Sequence, residues 1–147
     1  MVSKNNYEGM PLIAEKWQTM LRDTVLRDPA RVADVSAALW RGLAHHLTAI
    51  IGERGFASLY ARSVYQVSSN YPWLAGQAQP LDGVPFIELH QRLQAQLMPV
   101  AGQASVALLS VFIDTLTLLI GELVTASILH AAWGDEAVSP AETESKK

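Results

Sequence analysis

The chain has no cysteine. Disulfide staples, thiolate nucleophiles and cysteine-ligated zinc are therefore excluded, and a reducing compartment suits the composition. Charge is scarce too: 17% of residues are charged and the formal net charge is −3. There is no basic excess to neutralise phosphates, which argues against nucleic-acid binding. No alternating apolar–polar run reads as a strand, and Asp82-Gly83 falls in a proline-rich loop rather than between β-branched runs. Gly52-Glu53-Arg54-Gly55 lacks the lysine and preceding strand of a phosphate loop. No Gly-x-Ser-x-Gly elbow, no histidine pair at i, i+4 and no Glu-x-x-His motif is present, so the sequence offers no hydrolase, metal or di-metal set. It also shows no repeat at a solenoid period. The first residues, MVSKNNYEGMPLI, lack the pattern of a secretory signal, and the expectation is a cytoplasmic protein.

What the chain does have is apolar surface: half of its 147 residues are hydrophobic. The dominant stretch is Ala101 to Trp133, whose only ionisable groups are Asp114, Glu122 and His130. A surface helix keeps a polar face, and this one has almost none, so something must enclose it: the rest of the chain, a second copy or lipid. It is long enough to span a bilayer. Asp114 and Glu122 oppose that, at about 2.5–3.5 kcal/mol for an acid near the membrane centre. The expectation is a helix buried in protein.

Helical periodicity runs throughout. Leu12, Ile13, Trp17, Met20, Leu21 and Val25 predict a first helix over about 11–26. Asp28-Pro29 predicts a capped start for a second, running to about Ile51 and broken by Gly52 to Gly55. A third spans about 56–69. After a Gly-, Gln- and Pro-rich loop over 75–84, Pro85 opens a fourth with the stripe Phe86, Leu89, His90, Leu93 and Leu97. The fifth covers about 102–133, with a bend expected at Gly121. The predicted organisation is an N-terminal arm (1–10), one helical-bundle domain (11–133) and a disordered tail (134–147). The predicted fold class is all-α: a five-helix bundle around a long, nearly all-apolar C-terminal helix.

The segment Ala44-His45-His46-Leu47-Thr48-Ala49-Ile50-Ile51-Gly52-Glu53-Arg54-Gly55, followed by Leu59, resembles the phosphohistidine segment of histidine phosphotransfer domains, which are also helical bundles. His45, Leu47, Gly55 and Leu59 carry the match. The resemblance implies that His45 is an exposed phosphoacceptor in a signalling module. Thr48 and Ala49 stand where that family has lysine and glycine. A second stretch, Gly55-Phe56 with Leu59 to Ser63 and later Tyr71-Pro72-Trp73-Leu74, resembles a segment of short uncharacterised bacterial proteins and implies no activity.

Asp114 and Glu122 are the costliest residues in the apolar stretch, because buried charges must pair, hydrogen-bond or shift their pKa. On a straight helix they would stand about 80° and 12 Å apart, too far for a carboxylate dyad. Arg41, Arg62 and Arg92 are the candidate partners; the acids read as members of a structural ion pair or as edge-facing, or, as the sharper reading, as lining a central pocket or setting the register of a dimer. Trp17, Trp40, Trp73 and Trp133 all read as core or interface anchors; Trp73, in a loop, and Trp133, at a helix end, are the two placed to be partly exposed and to meet a partner. The sequence thus predicts a non-enzymatic bacterial regulatory or protein-interaction module, oligomeric, with a protein partner or a second copy, no cofactor and no metal. The alternatives are phosphotransfer through His45, and a sensor holding haem or an apolar ligand in the bundle core, with His46 or His90 as ligand.

Overall fold

The structure, a computed structural model, describes residues 17–76 and 86–138, with the backbone alone for 135–138. The predicted arm, the first turns of the first helix at 11–16, most of the 75–84 loop and the tail from 139 lie outside the described residues. Those described form an all-α bundle with no strand: α1 (residues 17–26), α2 (Val32–Val67), α3 (Ile87–Gln94), α4 (Met98–Ile120) and α5 (Glu122–Val138). Short 3-10 turns at Pro29–Arg31 and Pro72–Leu74 connect them. The Asp28 carboxylate accepts from the Ala30 N–H at 3.2 Å and Pro29 occupies the first turn, so this start forms as its residue types predict.

Two glycines bend the bundle into hairpins. Gly52 has φ 82, ψ 164, and Gly121 has φ 92, ψ 161, a region that side-chain-bearing residues scarcely occupy. Along a straight helix Trp40 and Tyr60 would stand about 30 Å apart. Their ring centroids are 5.0 Å apart, so α2 doubles back at Gly52 into two arms, 32–51 and 53–67. Gly121 does the same between α4 and α5, and the single C-terminal rod expected from the sequence is two antiparallel helices.

Ser36 on α2 pairs with Ser105 on α4, and Trp40 sits 4.9 Å from Phe112, so the first arm of α2 and α4 advance in the same direction side by side. α5 returns until the Trp133 indole N–H donates to the Leu39 carbonyl at 2.9 Å. Gly42 permits that approach: a Cβ there would lie 3.3 Å from the Ala132 carbonyl oxygen. α5 continues to Val138, five residues beyond its expected end, because Gly134 is buried against His130 inside the helix instead of terminating it. The centre is aromatic. Trp40 contacts Phe56, Tyr60, Phe86 and Phe112, edge-on or stacked, at centroid separations of 4.9 to 6.4 Å.

The two hairpins are copies of one plan. Leu47-Thr48, Ile51-Gly52-Glu53 and Ala57-Ser58 recur as Leu116-Thr117, Ile120-Gly121-Glu122 and Ala126-Ser127. The offset is 69 residues, the same that separates Ser36 from Ser105. Equivalent residues that meet each other are the mark of an isologous contact, here within one chain. Each hairpin is preceded by a short helix with a buried pair four residues apart, Leu21 and Val25 in α1, Leu89 and Leu93 in α3. This period is longer than those of solenoid repeats.

Candidate functional site

Where the two halves differ, a cleft opens. It lies between α1, α4 and α5 and encloses about 300 Å³. Helical spacing puts Ile113, Asp114 and Thr117 on one face of α4, and Glu122, Thr125, Ala126 and Leu129 on one face of α5. The Gly121 hairpin turns those faces toward one another, and α1 adds Trp17, Gln18 and Leu21 as a third wall. The repeat explains the space. Thr125 and Leu129 stand where the first half carries Phe56 and Tyr60, and there those rings fill the interior against Trp40 and Phe86.

The wall's surface is mainly apolar, although Gln18, Ser110, Asp114, Thr117, Glu122 and Thr125 also border it. Thr125 is 3% exposed, and its Oγ1 has no hydrogen-bond partner among the described residues. A buried hydroxyl left unpaired costs about 1–3 kcal/mol, so such groups are rare in a settled core. Thr117 is different: its hydroxyl donates to the Ile113 carbonyl at 2.8 Å. Asp114 and Glu122, which a straight helix would hold apart, line the same cleft because of the turn at Gly121. Asp114 has an exposed side, but partial burial raises its carboxyl above the ordinary carboxylate range.

The arginine partners expected for these acids are engaged or turned elsewhere. Arg92 pairs with Glu88 at 2.8 Å and donates to the backbone carbonyls of Trp73 and Ala75. Arg41 and Arg62 are exposed and form no ion pair with either acid. Neither acid is fully buried, so neither requires a partner as a core charge would.

Trp133 is not the exposed contact that its place near the chain end predicts. It is 2% exposed, hydrogen-bonded to α2 and 6.2 Å from the Trp17 ring, because α5 folds back over α2. Trp73 is half-buried in its 3-10 turn, edge-on to Tyr71 at 6.1 Å. His45 is exposed on α2, its ring 5.1 Å from that of half-buried His46. His90 leaves the apolar stripe and hydrogen-bonds Asp34 at 2.7 Å, tying α3 to the start of α2; Leu97, predicted on the same stripe, is exposed. Among the described residues no three His, Asp or Glu side chains converge as a metal ligand set.

Enclosure of the apolar C-terminal stretch is incomplete. Leu118, Leu119 and Leu123, around the Gly121 turn, are 85%, 67% and 82% exposed. α4 is the one described helix long and apolar enough to cross a membrane. Its inner side, including Ala104, Leu108, Leu109, Phe112 and Leu116, is buried within the bundle.

Neither the cleft nor Thr125 stands out in the sequence read as single helices. The signal that marks both is the recurrence of Leu-Thr-x-x-Ile-Gly-Glu-x-x-x-Ala-Ser, with phenylalanine before the first Ala-Ser and threonine before the second. Comparison with known proteins finds no matching family, curated protein or solved structure, and the reading of this site rests on its own geometry.

Proposed function

We propose that this chain is a non-catalytic binding module that receives a small apolar ligand in the cleft between α1, α4 and α5. One observation carries the reading: a mainly apolar hollow of about 300 Å³ with the small side chain of Thr125 on its wall, at the position where the other half of the chain is filled by phenylalanine. Small-molecule sites have this character, concave and mostly apolar with few polar groups, and this one is at the small end of their range. Burying an apolar ligand here stabilises the complex by about 25 cal/mol per Å² removed from water.

The test uses Trp17 as a reporter. Apolar probes such as 4-phenylbutanol are titrated against the full chain by tryptophan fluorescence, with a thermal melt as the second readout. Saturable quenching and a raised melting temperature are expected in the wild type, with both lost in Thr125→Phe. A wild type that binds no apolar probe, and that Thr125→Phe leaves equally stable, would show the hollow to be only a packing gap.

A second reading is supported by the apolar knuckle at Leu118, Leu119 and Leu123. Contiguous exposed leucines mark interaction surfaces, and a second copy of the chain covering this turn would make the module a homodimer. Sedimentation of the wild type and of Leu118→Lys/Leu123→Lys tests this: a dimer that becomes a monomer supports it, and a monomeric wild type rejects it.

A further inference from the structure

The charge around the cleft narrows its occupant. Among the described residues, the ionisable groups on its wall are Asp114 and Glu122, both acids; no lysine, arginine or histidine lines it. An anionic ligand, such as a fatty acid or a haem propionate, would carry its charge into a partly desolvating site already holding two carboxylates, with no cation among the described wall residues to offset them. A neutral apolar ligand would gain nothing from either acid and would narrow their access to water. A cationic head answers both acids. An ammonium presents donors to both carboxylates, and the half-buried Trp17 ring on the same wall is an aromatic surface for the same charge.

The duplication points the same way from an independent direction. The counterpart of Asp114 in the first half is His45, and the counterpart of Thr125 is Phe56. The open half thus differs from the filled half by an acid at the mouth and by a small hydroxyl in place of a ring. Thr125 lies one helical turn beyond Glu122 on α5 and borders the cleft; its own hydroxyl is shielded, so its contribution is small size where the other half carries a ring.

We propose that the cleft binds a hydrophobic amine, a protonated nitrogen on a small apolar body, with Asp114 and Glu122 receiving the ammonium and Trp17, Leu21, Ile113 and Leu129 enclosing the body. The proposal rests on the reading of the cleft as a ligand site. Specificity here is a difference between affinities, so three isosteres that differ only in the head group read it directly.

The probes are 4-phenylbutylamine, 4-phenylbutanol and 4-phenylbutyrate, titrated into the full chain by calorimetry at neutral pH. The amine is expected to bind at least about tenfold more tightly than the alcohol, in line with a charge-assisted hydrogen bond in a partly buried site, and the acid is expected not to bind. Asp114→Asn and Glu122→Gln should each reduce the amine's advantage over the alcohol while leaving alcohol binding within about twofold; circular dichroism and thermal melts confirm that the variants fold. Thr125→Phe should abolish binding of all three. Alcohol binding equal to amine binding, or an advantage that survives in Asp114→Asn/Glu122→Gln, overturns the amine assignment and leaves the ligand site standing. No binding of any probe to the wild type overturns both.

Discussion

Replacing Gly121 by alanine tests the architecture at its most exposed point of strain. Nothing lies within 4 Å of where the new Cβ would stand, so the substitution meets no steric obstacle from neighbours and its cost is purely one of backbone. At φ 92, ψ 161 that cost is about 1–3 kcal/mol. The chain has one escape, which is to straighten α4 and α5 into a single rod. Alanine favours this by about 1 kcal/mol over glycine in a helix. Straightening, however, pulls Trp133 away from the Leu39 carbonyl and from Trp17, and losing a buried tryptophan costs about 3–5 kcal/mol. The strained hairpin therefore wins. Gly121→Ala should keep its helix content and lose about 1–3 kcal/mol in urea denaturation followed by circular dichroism, or roughly 3 °C of Tm per kcal/mol for a chain of this size. Gly52→Ala, in the same conformation with nothing near its added methyl, should behave alike. A variant with unchanged or raised Tm and increased helicity would mean that α4 and α5 are continuous. The cleft, which depends on the turn, would then not exist.

Three further predictions concern pairs. Ser36 and Ser105 are both buried and bonded to each other, so either single alanine variant should cost about 1–3 kcal/mol by stranding the other hydroxyl, whereas the double variant should cost little more than one single; additive losses in a double-mutant cycle would refute the pairing. Trp133→Phe removes a satisfied indole donor and Trp40→Phe removes one with no partner among the described residues, so the former should lose about 1–2 kcal/mol more in denaturant melts, and equal losses would contradict the structure. The hydrogen bond from His90 holds the Asp34 carboxyl below its ordinary pKa. A folded-state pKa below the unfolded value contributes stability that is complete above the unfolded value and lost as pH falls through the folded one. NMR titration should therefore find Asp34 depressed in the wild type and restored upward in His90→Gln, with the stability difference between the two proteins closing in acid; an unchanged Asp34 midpoint in His90→Gln would show that the pair does not form.

The sequence was a good guide wherever the deciding interactions were local. Asp28-Pro29 acts through its own backbone neighbours, and Gly52 and Gly121 stand out in long apolar helices that little else would interrupt. Residue type alone leaves Trp133 as a core or an interface anchor, and its environment, which decides for the core, comes from α2 and α1, distant in the chain. Asp114 and Glu122 were judged as positions on a straight rod, and the turn between them reversed that geometry. The hairpin copies were missed because a repeat of 69 residues is longer than the solenoid periods that periodicity exposes.

Composition and periodicity were enough to establish an all-α chain, its main helix breaks and its surplus of apolar surface, because each depends on residue type and on neighbours within a turn or two. Only the tertiary structure decided that α2 and α4 lie side by side, that Trp133 is interior, and that Thr125 and two acids border one hollow. Those facts depend on which helix meets which. Side chains far apart in sequence settle that by filling, or failing to fill, one another's volume.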